Sequence, residues 1–191
     1  MQTKNIMIVG VGGQGTLLAS KLLGRILLSK GYDVKVSEVH GMSQRGGSVV
    51  TYVRYGDKVY SPIVEKGEAD CIISFEKLEA ARWVQYLKKG GVIITNTQQI
   101  DPMPVVIGAT QYPTEILTEL SEKVTVDALD ALSLAEEAGS SKAVNIVLMG
   151  RLARQLDIPY EKWEEALKTV VKPKFIDINL KAFALGYNYS E

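Results

Sequence analysis

Four glycines fall within six residues in the stretch GVGGQG: Gly10, Gly12, Gly13 and Gly15. Gly10, Gly12 and Gly15 keep the G-x-G-x-x-G spacing, which lets a backbone turn tightly and approach a bound anion. The apolar run from Ile6 to Val9 precedes them, and TLLASKLLG comes after with the period of a helix. Free N–H groups at such a helix start point at an anion. Gly10, Gly12, Gly13, Gln14 and Gly15 are therefore candidate backbone ligands for a phosphate or similar group. The same glycines also serve a tight strand-to-helix turn that needs them for packing alone. The motif leaves both readings open.

A dinucleotide site adds an acidic residue at the end of the second strand, to bond a ribose hydroxyl. Glu38 in DVKVSEV has that position. The residues beyond Glu38 do not fit the pattern. The loop HGMSQRGG comes next, and after it the alternating run SVVTYVRYG, where a dinucleotide enzyme continues with a helix and a parallel strand. Arg45 on a glycine-framed loop is poorly explained by core packing and could bind a carboxylate or phosphate through its planar fork. A rim salt bridge is its plainer role. Glu38 could equally be a solvated carboxylate, and His40 a loop hydrogen-bonder.

Composition narrows the classes. The 191 residues are 46% hydrophobic, enough for one domain of ordinary size with a real core, spanning 1–191. Acidic and basic residues balance at 22 each, so no bulk charge recruits nucleic acid or an anionic membrane. No apolar run reaches the length of a membrane span, and the N-terminus lacks the zones of a signal peptide. The one cysteine, Cys71, lies in the apolar run DCIISF, where a buried small residue is the plain reading. One cysteine and one histidine build neither an iron–sulfur cluster nor a multi-histidine metal site, so no metal ligands are assigned. The chain is expected in a reducing, cytoplasmic compartment.

The elements that must hold these loops alternate between strand and helix. NIMIVG, DVKVSEV, SVVTYVRYG, DCIISF, GVIITN and KVTVDA read as strands. KVYSPIV after Gly56-Asp57 reads as the second arm of a hairpin, and 105–107 as a short strand. Helices are expected over TLLASKLLGRILLSKG, EKLEAARWVQYLKKG and TEILTELSE. The C-terminal third is helical throughout: LDALSLAEEAG, SKAVNIVLMGRLARQL, YEKWEEALKTVV and IDINLKAFALGY. Pro159 suits a helix start and Pro173 a helix end. AVNIVLMG is apolar nearly all round, so it is central or covered by a partner. Trp83, Tyr86 and Trp163 sit at helix positions and read as packing residues. The class is α/β: a Rossmann-like mixed sheet with helices on both faces and a helical C-terminal third.

GVGGQGTLLASKLLG joined to SEVHGMSQRGGSVV resembles the small, gamma-type subunit of the 2-oxoacid:ferredoxin oxidoreductases, from Asn5 to the terminal NLKAFALGY. Within that family the likeness is to the indolepyruvate branch, and also to the gamma subunits of the pyruvate and ketoisovalerate enzymes. The pairing of the two loops carries it, because MSQRGG has no place in the dinucleotide fingerprint. The resemblance implies oxidative decarboxylation of an arylpyruvate to an aryl-acetyl-coenzyme A, with electrons passed to ferredoxin. It places thiamine diphosphate, Mg and [4Fe-4S] clusters on a large (alpha) partner subunit, with coenzyme A as co-substrate and no cofactor on this chain alone. The absence of a GDG run and of cluster cysteines agrees with that division. Gly10–Gly15 would then face a coenzyme A phosphate, and His40, Ser43, Gln44, Arg45 and Gly46 a substrate or the partner. No residue is assigned catalysis. The competing classes are a stand-alone NAD(P)-binding oxidoreductase and a non-catalytic nucleotide or acyl-coenzyme A binder.

Overall fold

The run from Ile6 to Val9 is apolar without a break because the strand it forms is buried on both sides. In the computed structural model, which describes residues 2–39 and 46–190, β1 spans Lys4–Val11. Ile6 and Ile8 face one core cluster, and Met7 and Val9 face the other. Around β1 lie β2 (Asp33–Glu38), β3 (Ser48–Gly56), β4 (Ala69–Ser74), β5 (Leu87–Asn96) and β6 (Thr125–Leu129). The sheet order is β2-β3-β1-β4-β5-β6. β3 runs antiparallel to both β1 and β2, with Ile8 opposite Thr51 and Glu38 also opposite Thr51. The pairs β1–β4, β4–β5 and β5–β6 are parallel.

The helices are α1 (Thr16–Ser29), α2 (Lys77–Trp83), α3 (Met103–Val106), α4 (Ile116–Ser121), α5 (Ala131–Ala138), α6 (Val144–Ala153), α7 (Tyr160–Val170) and α8 (Ile176–Asn188). α1 and α5 to α8 bury one face of the sheet, and α2 and α4 the other. The expected mixed α/β sheet with a helical C-terminal third is therefore what the chain forms. α6 is buried at every position except Arg151, so the all-round apolar run is central in the fold. It crosses α8 at two glycines. A Cβ on Gly150 would collide with the Phe183 carbonyl, and one on Gly186 with the Val147 carbonyl. Trp163 is fully buried and stacks on Phe183 with ring centroids 5.7 Å apart.

Three local expectations are corrected. KVYSPIV is not a strand, and the antiparallel partners of β3 are β1 and β2. A strand has only two edges, and β3 has given up both. Residues 57–68 instead anchor Val59 and Val64 in the core, while the Arg54 guanidinium donates to the carbonyls of Ser61 and Ile63 at 3.1 and 2.8 Å. The sheet is mixed, but for a different reason from the expected hairpin. Residues 105–107 belong to or come just after the helical turn α3, where Pro104 in the first turn presets a helical φ. The helix expected to run to Gly90 ends earlier: a 3₁₀ turn occupies Val84–Tyr86, and β5 starts at Leu87.

Candidate functional site

The glycine turn lies at the C-terminal end of β1, beside the point where neighbouring connections leave the sheet in opposite directions. Ligands of open α/β sheets bind at such a crevice. Each residue of the turn has a separate task. Gly10 packs closely: a Cβ there would meet Gln14 Oε1 at 2.9 Å and Phe75 Cβ at 3.0 Å. Gln14 is a latch, accepting from Val11 N–H at 2.8 Å and donating to the Phe75 carbonyl at 3.0 Å. The Asn96 amide donates to the same carbonyl at 3.3 Å, so two side chains fill the crevice floor. Gly15 is the N-cap of α1 with φ +87°, and a Cβ there would lie 2.5 Å from Asn145 Nδ2. That amide donates to the Gly15 carbonyl at 3.1 Å.

Gly12 and Gly13 differ from these. Gly12 N–H donates to the Gly47 carbonyl at 2.9 Å, which ties the glycine turn to the start of β3. Gly13 has φ +100°, and a Cβ there would meet nothing within 4 Å. Both line a cleft of about 270 Å³ with Gly15, Thr16, Leu17, Glu38 and Val39. Its chemistry is two-ended. At one end is the N-terminus of the 14-residue α1, with no acidic residue in its first turn and no side-chain cap. Such an end favours an anion. At the other end is Glu38, whose Oε1 accepts from Ser20 Oγ at 2.6 Å. A carboxylate there suits a hydroxyl or a cation.

Behind the same Gly12–Gly47 link lies a second cleft, of about 240 Å³, that sequence reading missed. It is lined by Gly46–Ser48, α2 and the segment 100–104. Glu76 and Glu79 are buried there. Glu76 caps α2 by accepting from Glu79 N–H at 2.9 Å, and its other oxygen accepts from Ile100 N–H at 3.3 Å and from the Tyr112 hydroxyl. Glu79 accepts from Ser48 Oγ and, at 3.3 Å, from Trp83 Nε1, and pairs with Arg82 at 3.2 Å. Burial pushes the Glu79 carboxyl up, against the pull of Ser48, Arg82 and Trp83. Burial and the bond to Glu76 likewise hold the Tyr112 phenol well above its ordinary range. The signal was present as E-x-x-E at a helix start, an acidic N-cap with a glutamate three residues on.

The other expected residues divide. Gly46 is described, with φ +84° and open space around it. The expectations for His40, Ser43, Gln44 and Arg45 lie outside the described residues. Cys71 is buried in β4, and its thiol is pushed far up by burial, beyond use as a thiolate nucleophile or ligand. It does not fit an iron–sulfur cluster. Among the described residues no group of His, Cys, Asp and Glu is placed to hold a metal ion, and no helix is long and apolar enough to cross a membrane. The NAD reading also fails on topology. The dinucleotide fold sets β2 beside β1, whereas here β3 separates them. Glu38 is thereby moved one strand spacing from the glycine turn, about 4.8 Å.

Known proteins agree with the two-loop resemblance. The model of the pyruvate ferredoxin/flavodoxin oxidoreductase family matches residues 5–189. The protein named indolepyruvate oxidoreductase subunit IorB from Thermococcus kodakarensis is 48% identical, over 97% of this chain and 95% of its own. The gamma subunit of a keto/oxoacid ferredoxin oxidoreductase from Geobacter sulfurreducens has the same fold, with TM-score 0.75 at 21% identity over 98% of this chain and 95% of that one. A 2-oxoglutarate:ferredoxin oxidoreductase from Magnetococcus marinus, solved with 2-oxoglutarate, coenzyme A and succinyl-CoA bound, aligns with TM-score 0.75 at 20% identity. That alignment covers 97% of this chain but 30% of the other. A near-complete family match and a relative of this identity over nearly the whole length place the chain in the pyruvate ferredoxin/flavodoxin oxidoreductase family.

Proposed function

We propose that this chain is the small subunit of an arylpyruvate:ferredoxin oxidoreductase, with indolepyruvate among its substrates, and that it completes the active site of a large subunit. The observation that carries this is the 48% identity, along 97% of the chain, to a protein named for indolepyruvate. Thiamine diphosphate with Mg and the [4Fe-4S] clusters supply decarboxylation and electron transfer, and they belong to the partner. The one buried cysteine fits that division. The electrons leave to ferredoxin through the complex, which operates in the cytoplasm with this chain as a single-domain subunit bound to its partner.

This chain's own part is binding. The two-ended cleft suits the phosphate and ribose of coenzyme A. The N-terminus of α1 and the Gly13 amide take the phosphate, with Gly12 holding the turn to Gly47, and Glu38 accepts from a hydroxyl. Gly10, Gln14 and Gly15 shape the turn that presents those amides.

Reconstitution with the large subunit tests the reaction. Arylpyruvate- and coenzyme A-dependent dye reduction is expected from the complex and not from the chain alone. NAD-linked turnover by the chain alone would overturn it. Leu17→Glu tests the cleft. Leu17 is 42% exposed in the first turn of α1. A carboxylate there suits the helix dipole and stabilises the fold by about 0.3–1 kcal/mol, yet it repels a phosphate. The KM for coenzyme A should rise about tenfold or more, with the KM for arylpyruvate unchanged. Unchanged kinetics in coenzyme A would remove the phosphate from this cleft while leaving the reaction assignment intact.

A further inference from the structure

A groove of about 570 Å³ opens on the helical side and is separate from both clefts in its lining residues. Its wall is apolar: Leu18 from α1, Val171 after α7, Phe175, and Ile178 from α8. Two lysines line it, Lys142 from the turn before α6 and Lys172 from the turn before α8. Both are exposed, and neither has an ion-pair partner among the described residues. Among the described residues no acidic one lines the groove. The Phe175 ring is left 44% exposed beside it, with the Lys174 ammonium 4.8 Å from the ring centroid.

The volume falls in the range of small-molecule sites, about 300–1,000 Å³, which combine an apolar wall with a few polar anchors. We propose that this groove binds an amphipathic carboxylate: a flat aromatic body against Phe175, Val171 and Ile178, with its anionic head between Lys142 and Lys172. Charge selects the head, since two uncompensated cations at the rim of an apolar wall attract an anion and leave a neutral ligand without its anchor. The exposed ring selects an aromatic body, which gains by stacking beyond its area. The assignment is independent of the reaction proposed above.

Isothermal titration of the full chain with indole-3-acetate is the test. Saturable binding is expected, with indole-3-ethanol and acetate each binding far more weakly. The double variant Lys142→Gln/Lys172→Gln should weaken indole-3-acetate about tenfold or more. Phe175→Ala, an exposed position where truncation spares the fold, should weaken it as well. A control pair at another groove, Lys21→Gln/Arg25→Gln, should leave binding unchanged. The proposal is overturned if indole-3-acetate does not saturate. It is overturned too if binding survives both the charge variant and Phe175→Ala, or if the neutral alcohol binds as tightly as the acid.

Discussion

The two clefts on either side of the Gly12–Gly47 hydrogen bond are built from opposite materials. The first is made of backbone: a glycine turn, a helix end and space where a Cβ would meet nothing. The second is made of side chains: two buried carboxylates, Glu76 holding Ile100 and Tyr112 from outside α2 and Glu79 holding Ser48 from β3, each with a further donor from α2 itself. A backbone site keeps its donors when a neighbouring side chain is truncated, and it loses them when the turn itself is reshaped, as by changing a glycine. A side-chain network fails when any one member is removed, because the partners are left buried and unpaired. The first cleft is suited to receiving a ligand, and the second to fixing where Gly46–Ser48, α2 and the segment 100–104 meet.

Experiments can break that contrast, beginning with the largest effect. Glu76→Ala removes the cap of α2 and the acceptor for Tyr112 and Ile100, and should cost about 3 kcal/mol. The check is the denaturant midpoint, with the slope unchanged. A loss under ~1 kcal/mol would mean that the second cleft is not a network. Gly15→Ala comes next. It forces a Cβ into the left-handed region and against Asn145, at about 2–3 kcal/mol. Gly13→Ala carries the backbone strain without the clash and should cost only about 1 kcal/mol. Equal losses at the two glycines would erase the distinction between packed and open positions in the turn.

The smallest effect is a pH dependence. Burial raises the Glu79 carboxyl above its ordinary 4.5, so the folded chain holds that proton more tightly than the unfolded chain. The contribution of Glu79 is therefore fully present below 4.5 and falls as pH rises through the window up to the raised value. Glu79→Gln should gain stability relative to the parent across that window. Asp70 works in the opposite sense. Burial would raise it, but Lys88, the Asn5 N–H and Lys4 hold it below its ordinary range, so its contribution is lost on acidification. A pH-independent difference between Glu79→Gln and the parent would argue that the carboxylate is solvated.

The legible parts of the fold were those in which one local rule governed. The apolar run at β1 and the glycine turn both announce themselves, because burial on two faces and a tight turn each leave a distinct local pattern. KVYSPIV looked like a strand by the same rule and is not. Its fate was decided by β1 and β2, which had taken both edges of β3, and no local pattern records that competition. The site divides in the same way. The glycine run marked the turn, and Gly12, Gly13 and Gly15 of that run line the first cleft. The latching of Gln14 onto Phe75 spans 61 positions, and the pairing of Glu79 with Ser48 spans 31, so both depend on topology.

The crossing of α6 and α8 on Gly150 and Gly186 has a consequence for synthesis. α6 is complete by Ala153, yet the surface that covers it arrives with Gly186. At ~5–20 residues per second a nascent chain carries that all-round apolar helix uncovered for seconds. A chain halted within α8 never covers it. Early stop codons in this last helix should therefore produce aggregation and degradation rather than a shortened but serviceable protein, although both clefts lie in the part already made.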